Sequence, residues 1–177
     1  MSGHNKWSQL KHKKAVVDSK KSREFGKLAR LITLEVKKAG GNADSPGVRS
    51  VVLRAKVANM PNENILRAIT RGQGKDAASL EEVVYEAYGP AGAALIIHGL
   101  TDNKNRTGAE IKHILAEHGA TLAAQGAASW AFKKEGDEWV AATPLPLSEE
   151  DAEKLAALVE ALEEIEDVQE VSTNAKL

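Results

Sequence analysis

The chain has 177 residues and a mass of 18.9 kDa, room for one ordinary domain or two small ones, and its 42% hydrophobic and 28% charged residues are the balance of a folded, soluble chain. It has no cysteine, no apolar run long enough to span a bilayer and no secretory signal pattern at its start, which excludes disulfides, thiolate chemistry, Cys-ligated metals and a membrane protein. The net charge of −1 hides a division: residues 1–75 carry 17 Lys+Arg against 5 Asp+Glu, or +12, and residues 76–177 carry 7 against 20, or −13, which predicts two domains, the first suited to phosphate-rich partners.

Residues 1–17 are polar and basic with one Trp and no sustained period, and read as an arm leading into a helix. From about residue 18 to 39, Phe25, Leu28, Ile32 and Val36 recur at steps of three and four as one apolar stripe, with Arg23, Lys27, Arg30, Lys37 and Lys38 in the opposite sector. Leu31 and Leu34 fall outside the stripe, so this helix is expected to pack on more than one neighbour. Gly40 and Gly41 end it. Ser45-Pro46, an N-cap residue before a proline, starts a second helix through Val48, Val51, Val52 and Ala55 to about Ala58. Asn59-Met60-Pro61 breaks it, with Asn59 and Asn62 read as caps. Pro61 opens a third helix through Ile65, Leu66 and Ile69, which Gly72 and Gly74 stop.

Beyond Gly74 the period changes. Residues 83–85 and 93–97 are short apolar runs on either side of Tyr88-Gly89-Pro90-Ala91-Gly92, two strands and a turn. Residues 106–118 read as a helix, 128–133 and 138–143 as a hairpin turning at Glu135-Gly136-Asp137, and 143–147 as a linker. Ser148-Glu149-Glu150-Asp151 is a capping box opening a helix that buries Leu155, Leu158, Val159 and Leu162, and residues 168–172 supply a last strand. The order β-β-α-β-β-α-β predicts an antiparallel-sheet sandwich with helices on one face, so the chain reads as α plus α+β: a helical domain over 1–75 and an acidic α+β domain over 76–177.

Eleven Lys/Arg and three acids fall within residues 1–38. Cations along an arm and one helix face neutralise successive phosphates and release counterions, giving affinity without sequence information. The candidate contacts are His4, Lys6, Lys11, His12, Lys13, Lys14, Lys20, Lys21, Arg23, Lys27 and Arg30, with Trp7 placed among them to stack on an unpaired base. The plainer alternative is a solvated basic face with Trp7 plugging the helical core. Arg54, Lys56, Arg67 and Arg71 either extend that basic surface or simply solubilise their helices. Thr101-Asp102-Asn103-Lys104-Asn105-Arg106-Thr107 reads in two ways. It is a polar loop in which Asp or Asn caps the next helix, or a donor loop presenting Asn103, Lys104, Asn105 and Arg106 to RNA or protein.

Enzyme signatures fail on inspection. Gly72-Gln73-Gly74-Lys75 lacks the rest of a phosphate-binding loop, and the GxxG of Gly89 to Gly92 joins strands where a KH domain joins helices. His113 and His118, five apart, point to different helix faces. No nucleophile–base spacing stands out. The expectation is a protein that is not an enzyme and needs no cofactor, metal or small-molecule substrate.

Five strings then gather in order: Gly3-His4-Asn5-Lys6-Trp7 with Leu10-Lys11-His12-Lys13-Lys14; Arg54-Ala55-Lys56 leading to Asn59-Met60-Pro61-Asn62-Glu63-Asn64-Ile65; Tyr85-Glu86-Ala87-Tyr88-Gly89-Pro90; the 101–107 loop; and Asp167-Val168-Gln169-Glu170-Val171. In these the chain resembles the YebC family over nearly its whole length. The resemblance implies a helical N-terminal domain followed by α/β domains, in a protein without catalytic activity, often described as a DNA-binding transcriptional regulator. Some members are understood as translation factors acting on ribosomes stalled by proline-rich nascent chains. On that reading Lys6, Trp7, Lys11, His12 and Lys13 lie near ribosomal RNA. The motif begins at Gly3, so no presequence and a bacterial cytoplasmic location are expected. The family pattern also places a further domain before the final helix and strand. Here Trp139-Val140-Ala141-Ala142 runs straight through the proline linker, so the chain reads as a short form lacking that insertion near residues 139–147. Ala87 and Ala91 replace glycines usual in the family's turn, a change that stiffens it.

The favoured expectation is therefore a monomeric, ribosome- or ribosomal-RNA-binding translation factor. A regulator bound to duplex DNA is the alternative, weakened because no helix combines a recognition shape with a dimerisation surface. A protein–protein adaptor pairing +12 and −13 halves is a third possibility.

Overall fold

Leu28, Ile32 and Val36 are spaced by fours and give α1 (Gly3–Lys38) one face that must be covered. In the computed structural model all three are buried against Val48, Val51 and Ala55 of α2 (Pro46–Val57) and Ile65 and Ala68 of α3 (Asn62–Gln73). The structure describes residues 3–136 and 138–176, and side chains at residues 3–18, 76 and 78 lie outside that description. It divides into two units, Met1–Ala78 and Ser79–Leu177.

The first unit corrects the sequence reading in three places. The expected arm over residues 1–17 is helical from Gly3 onward. Residues 4–25 contain no glycine or proline to stop a helix, and backbone propensity can continue one without an apolar period. Gly72, read as a stop, lies inside α3, and Gly74 caps it. A Cβ at Gly72 would stand 2.6 Å from Cβ of Val36 and 2.8 Å from the carbonyl oxygen of Thr33, so the missing side chain lets α3 lie close on α1. Asn62 is the first residue of α3 and not its cap; the N-cap is Pro61, which has no side-chain cap bond. Asn59 does end α2. It sits at φ 60°, with its N–H on the carbonyl of Lys56 and that of Met60 on the carbonyl of Ala55, the paired bonds of a Schellman motif. Gly40 and Gly41 close α1 in the same way, on Lys37 and Val36. Ser45 caps α2 by accepting from the N–H of Val48, with Pro46 behind it.

In the second unit β1 (Glu81–Tyr88) and β2 (Ala94–Thr101) pair antiparallel around the Pro90–Gly92 turn. α4 (Lys104–Glu117) leads to β3 (Thr121–Ala123), then to the hairpin of β4 (Phe132–Glu135) and β5 (Glu138–Ala141). β6 (Leu145–Pro146) precedes α5 (Glu149–Glu163), followed by β7 (Val168–Thr173) and β8 (Ala175–Lys176). The main sheet runs β3-β1-β2-β7, all antiparallel, while the linker strand β6 pairs parallel with β8. Alternation divides its faces. Ala87, Leu95 and Ile97 are buried with Ile111 and Leu115 of α4 and Leu155, Leu158 and Leu162 of α5. On the other face Ala94 and Ile96 are covered by Ala128, Ala131 and Phe132, with Tyr88 and Trp139 packed against them. Among the described residues no helix is long and apolar enough to cross a membrane.

Candidate nucleic-acid interface

On α1, Lys20, Arg23, Lys27, Arg30 and Lys37 follow one another at steps of three, four, three and seven, which at about 100° per residue keeps them on the side away from Leu28, Ile32 and Val36. Lys20 and Lys21 are exposed; Arg23, Lys27 and Arg30 are half-buried and engaged with neighbours. Leu34 lies on the same line and is buried. His4, Lys6, Trp7, Lys11, His12, Lys13 and Lys14 lie on the helical backbone, and their side chains lie outside the described residues.

The outward face of α2 carries Arg49, Arg54 and Lys56, all exposed, and between them Leu53 and Val57, 64% and 76% exposed. These two apolar side chains are one helical turn apart and opposite Val48, Val51 and Ala55, so they form a short ridge flanked by cations. On α3, Arg67 and Arg71 are exposed; the guanidinium of Arg67 lies 2.8 Å from the carboxylate of Glu63, one turn back.

The segment read as a loop over 101–107 is mostly regular: Thr101 ends β2, residues 104–107 form the first turn of α4, and only Asp102 and Asn103 lie between them. Asn103 is the N-cap of α4, accepting from the N–H of Arg106 at 3.1 Å, while its own N–H donates to Oγ1 of Thr101 at 2.8 Å. Arg106 donates at 2.8 Å to Asp102 and at 2.8 Å to Asp167, a buried carboxylate that also accepts from the hydroxyls of Thr107 and Thr101. The bonds to Asp167 and then Asp102 raise the pKa of Arg106, and the pair with Glu81 raises that of Lys104. Lys104 Nζ is 2.5 Å from Glu81, and the carbonyl of Lys104 accepts from Tyr85. Asn105 is exposed. The helix-capping arrangement accounts for Asn103, and Lys104 and Arg106, in the first turn of α4, already have carboxylate partners.

A second cluster went unread in the sequence. Glu86 is buried in β1, and its carboxylate accepts from the backbone N–H groups of Gly126, Ala128 and Ser129 at 2.7, 2.6 and 2.9 Å. Burial alone would raise its pKa, but the three donors outweigh it and hold the carboxyl below its ordinary value. Trp130, in the loop so fixed, donates from Nε1 to the Tyr88 hydroxyl at 2.8 Å, and that hydroxyl donates to the carbonyl of Ala127. In sequence Glu86 shows only as an acid between Tyr85 and Ala87; the structure pairs it with Ile96 of β2. Among the described residues no group of three or more His, Asp or Glu side chains is placed to hold a metal ion.

Residues 5–75 match the model of the TACO1/YebC protein N-terminal domain, and residues 80–137 and 136–175 match that of the TACO1/YebC second and third domain. The chain belongs to the TACO1/YebC family. The two stretches of the second match meet inside the β4–β5 turn, at residues 136–137. One family member, a probable transcriptional regulatory protein of Thermosipho africanus, is 47% identical over 138 residues, covering 77% of this chain and 55% of that one. Another, from Fervidobacterium nodosum, is 43% identical over 169 residues, covering 94% and 66%. The chain thus spans about 55–66% of the length of these curated relatives. The crystal structure of a conserved hypothetical protein, Aq1575 from Aquifex aeolicus, superposes with a TM-score of 0.80 at 29% identity, over 90% of this chain and 92% of that one.

Proposed function

We propose that this TACO1/YebC chain is a non-enzymatic regulator of gene expression that binds nucleic acid through its helical unit, with ribosomal RNA as the target and translation as the process regulated. The observation that carries the reading is the placement of Lys20, Arg23, Lys27, Arg30 and Lys37 along one line of α1, opposite Leu28, Ile32 and Val36. Such a stripe suits a series of phosphates. RNA is favoured over duplex DNA by the α2 ridge. Leu53 and Val57 stand at the centre of its exposed face, where a helix reading the major groove would hold Asn, Gln or Arg toward base edges. An apolar ridge between cations suits unstacked bases in a folded RNA. Relief of synthesis stalled on proline-rich segments is the role that the resemblance attaches to such a protein.

Regulation of transcription from duplex DNA is the second reading, favoured by the names of the relatives, probable transcriptional regulatory proteins. Co-sedimentation with ribosomes at near-physiological salt, under a large excess of duplex DNA, separates the two. Retention that DNA cannot displace supports the translation reading. Displacement by DNA overturns it and turns attention to promoters. Salt-sensitive self-association without any nucleic acid would instead favour an adaptor.

A further inference from the structure

We infer that Trp130 is a second nucleic-acid contact, a fixed and exposed indole on which one unpaired base stacks. The inference rests on the RNA-binding reading above and adds to it a contact in the acidic unit, far in sequence from the basic helices.

Trp130 is 59% exposed, yet it is not a loosely held side chain. Its Nε1 donates to Tyr88, and Tyr88 donates to Ala127 in the same loop. The loop backbone is fastened by Glu86 at Gly126, Ala128 and Ser129. On either side of the tryptophan, Ala128 and Ala131 are fully buried beneath the sheet face that holds Ile96. The orientation of the ring is therefore set before any partner arrives, which removes the ordering cost of binding through it. Because the indole N–H is already bonded to Tyr88, what the ring offers a partner is its π surface and not a donor. A fixed π surface without a free donor suits stacking, which every base can satisfy.

Charge favours the same partner. The second half of the chain is strongly acidic, but residues 118–134 contain no Asp or Glu and end in Lys133 and Lys134. The one carboxylate fastened to this loop, Glu86, is buried with its oxygens in three hydrogen bonds. Lys133 pairs with Glu135 and Lys134 lies over the half-buried Trp139 ring at 5.8 Å; both lysines are exposed, and a phosphate can draw them from these partners at small cost. Residues 118–134 themselves thus bring no acidic side chain to repel a phosphate backbone.

The test uses the full chain with Trp7→Phe and Trp139→Phe, so that Trp130 is the sole tryptophan, titrated with a fluorescein-labelled single-stranded oligoadenylate. Stacking quenches the indole emission in step with the rise in fluorescein anisotropy. In the same background Trp130→Phe keeps most of the affinity, and Trp130→Ala weakens binding roughly tenfold. Binding of the RNA with unchanged Trp130 emission and equal affinity for Trp130→Ala overturns the inference while the RNA-binding reading stands, and leaves the ring to a protein partner. Absence of RNA binding by the wild-type chain itself, on ribosomes as well as the oligomer, overturns both. Should Trp130→Ala lower the thermal midpoint, the emission of the unsubstituted Trp130 decides.

Discussion

The carboxylate of Glu86 accepts a 2.6 Å hydrogen bond from the backbone N–H of Ala128, 42 residues further along the chain. With Gly126 and Ser129 also donating, one buried side chain holds a loop that has little regular structure of its own. Glutamine at this position keeps the shape but offers one acceptor oxygen and turns an NH2 group toward N–H donors. Glu86→Gln should cost about 2 kcal/mol, the range for hydrogen bonds to a charged group, read as a lower urea midpoint. The pH dependence has a definite sign. The folded carboxyl lies below the usual glutamate value of 4.5, so its contribution is full above that pH and fades as pH falls through the folded value. The gap between wild type and Glu86→Gln should therefore close in acid. A gap that persists below that range would show that shape and not charge fastens the loop.

Gly72→Ala tests the close approach of α3 to α1. Helix propensity alone would favour alanine by about 1 kcal/mol. Against that, the added methyl meets Val36 Cβ at 2.6 Å and the Thr33 carbonyl at 2.8 Å, neither the free end of a flexible chain. Overpacking of this kind typically costs about 1–3 kcal/mol, so the net change should be a loss of stability. A variant as stable as wild type would mean that the two helices can part at little cost.

Ala91→Gly runs the other way. Ala91 holds φ at 54°, in the left-handed region, within the turn between β1 and β2. The side chain stiffens this turn, and it does so in a conformation that costs an L-residue about 1 kcal/mol. Glycine relieves that strain and loses part of the gain to the greater freedom of the unfolded chain. The expected result is a gain of about 0.5 kcal/mol in urea unfolding; a loss would place the Ala91 methyl in a favourable contact.

What the sequence made legible was what depends on near neighbours. The stripe of Leu28, Ile32 and Val36, the Ser45-Pro46 start, the Gly40-Gly41 end and the Ser148 cap, which accepts from the N–H of Asp151, all rest on spacings of five residues or fewer. The alternation of Leu95, Ile96 and Ile97 across two buried faces was likewise visible as an apolar run. The extension of α1 to Gly3 was hidden because residues 1–17 carry no sustained apolar period. β3 and the β6–β8 pair were hidden because two or three residues carry no alternation. Of the candidate site, the charge division and the α1 stripe could be read directly. The commitments of Arg106 to Asp167, 61 residues away, and of Trp130 to Tyr88 could not, since each is decided by strand pairing across the sheet. Gly72 shows the limit most plainly: a glycine near a helix end reads as a stop, and only the Val36 side chain opposite reveals why nothing larger fits.

The basic face itself is open to a quantitative test. Arg49, Arg54 and Lys56 on the outward face of α2 are exposed, so reversing all three to Glu should leave thermal stability nearly unchanged. If these groups neutralise phosphates, each lost cation removes roughly 0.7 to 0.9 from the slope of log K against log salt. The triple variant should therefore bind RNA more weakly with a slope shallower by about two, because counterion release follows the number of phosphates contacted. Reversal of Lys11, Lys13 and Lys14 should act in the same direction. Weaker binding with an unchanged slope would mean that added repulsion, not a lost contact, is being measured. Unchanged affinity in both variants would remove the phosphate-binding role from α1 and α2, and with it the main support for the proposed function.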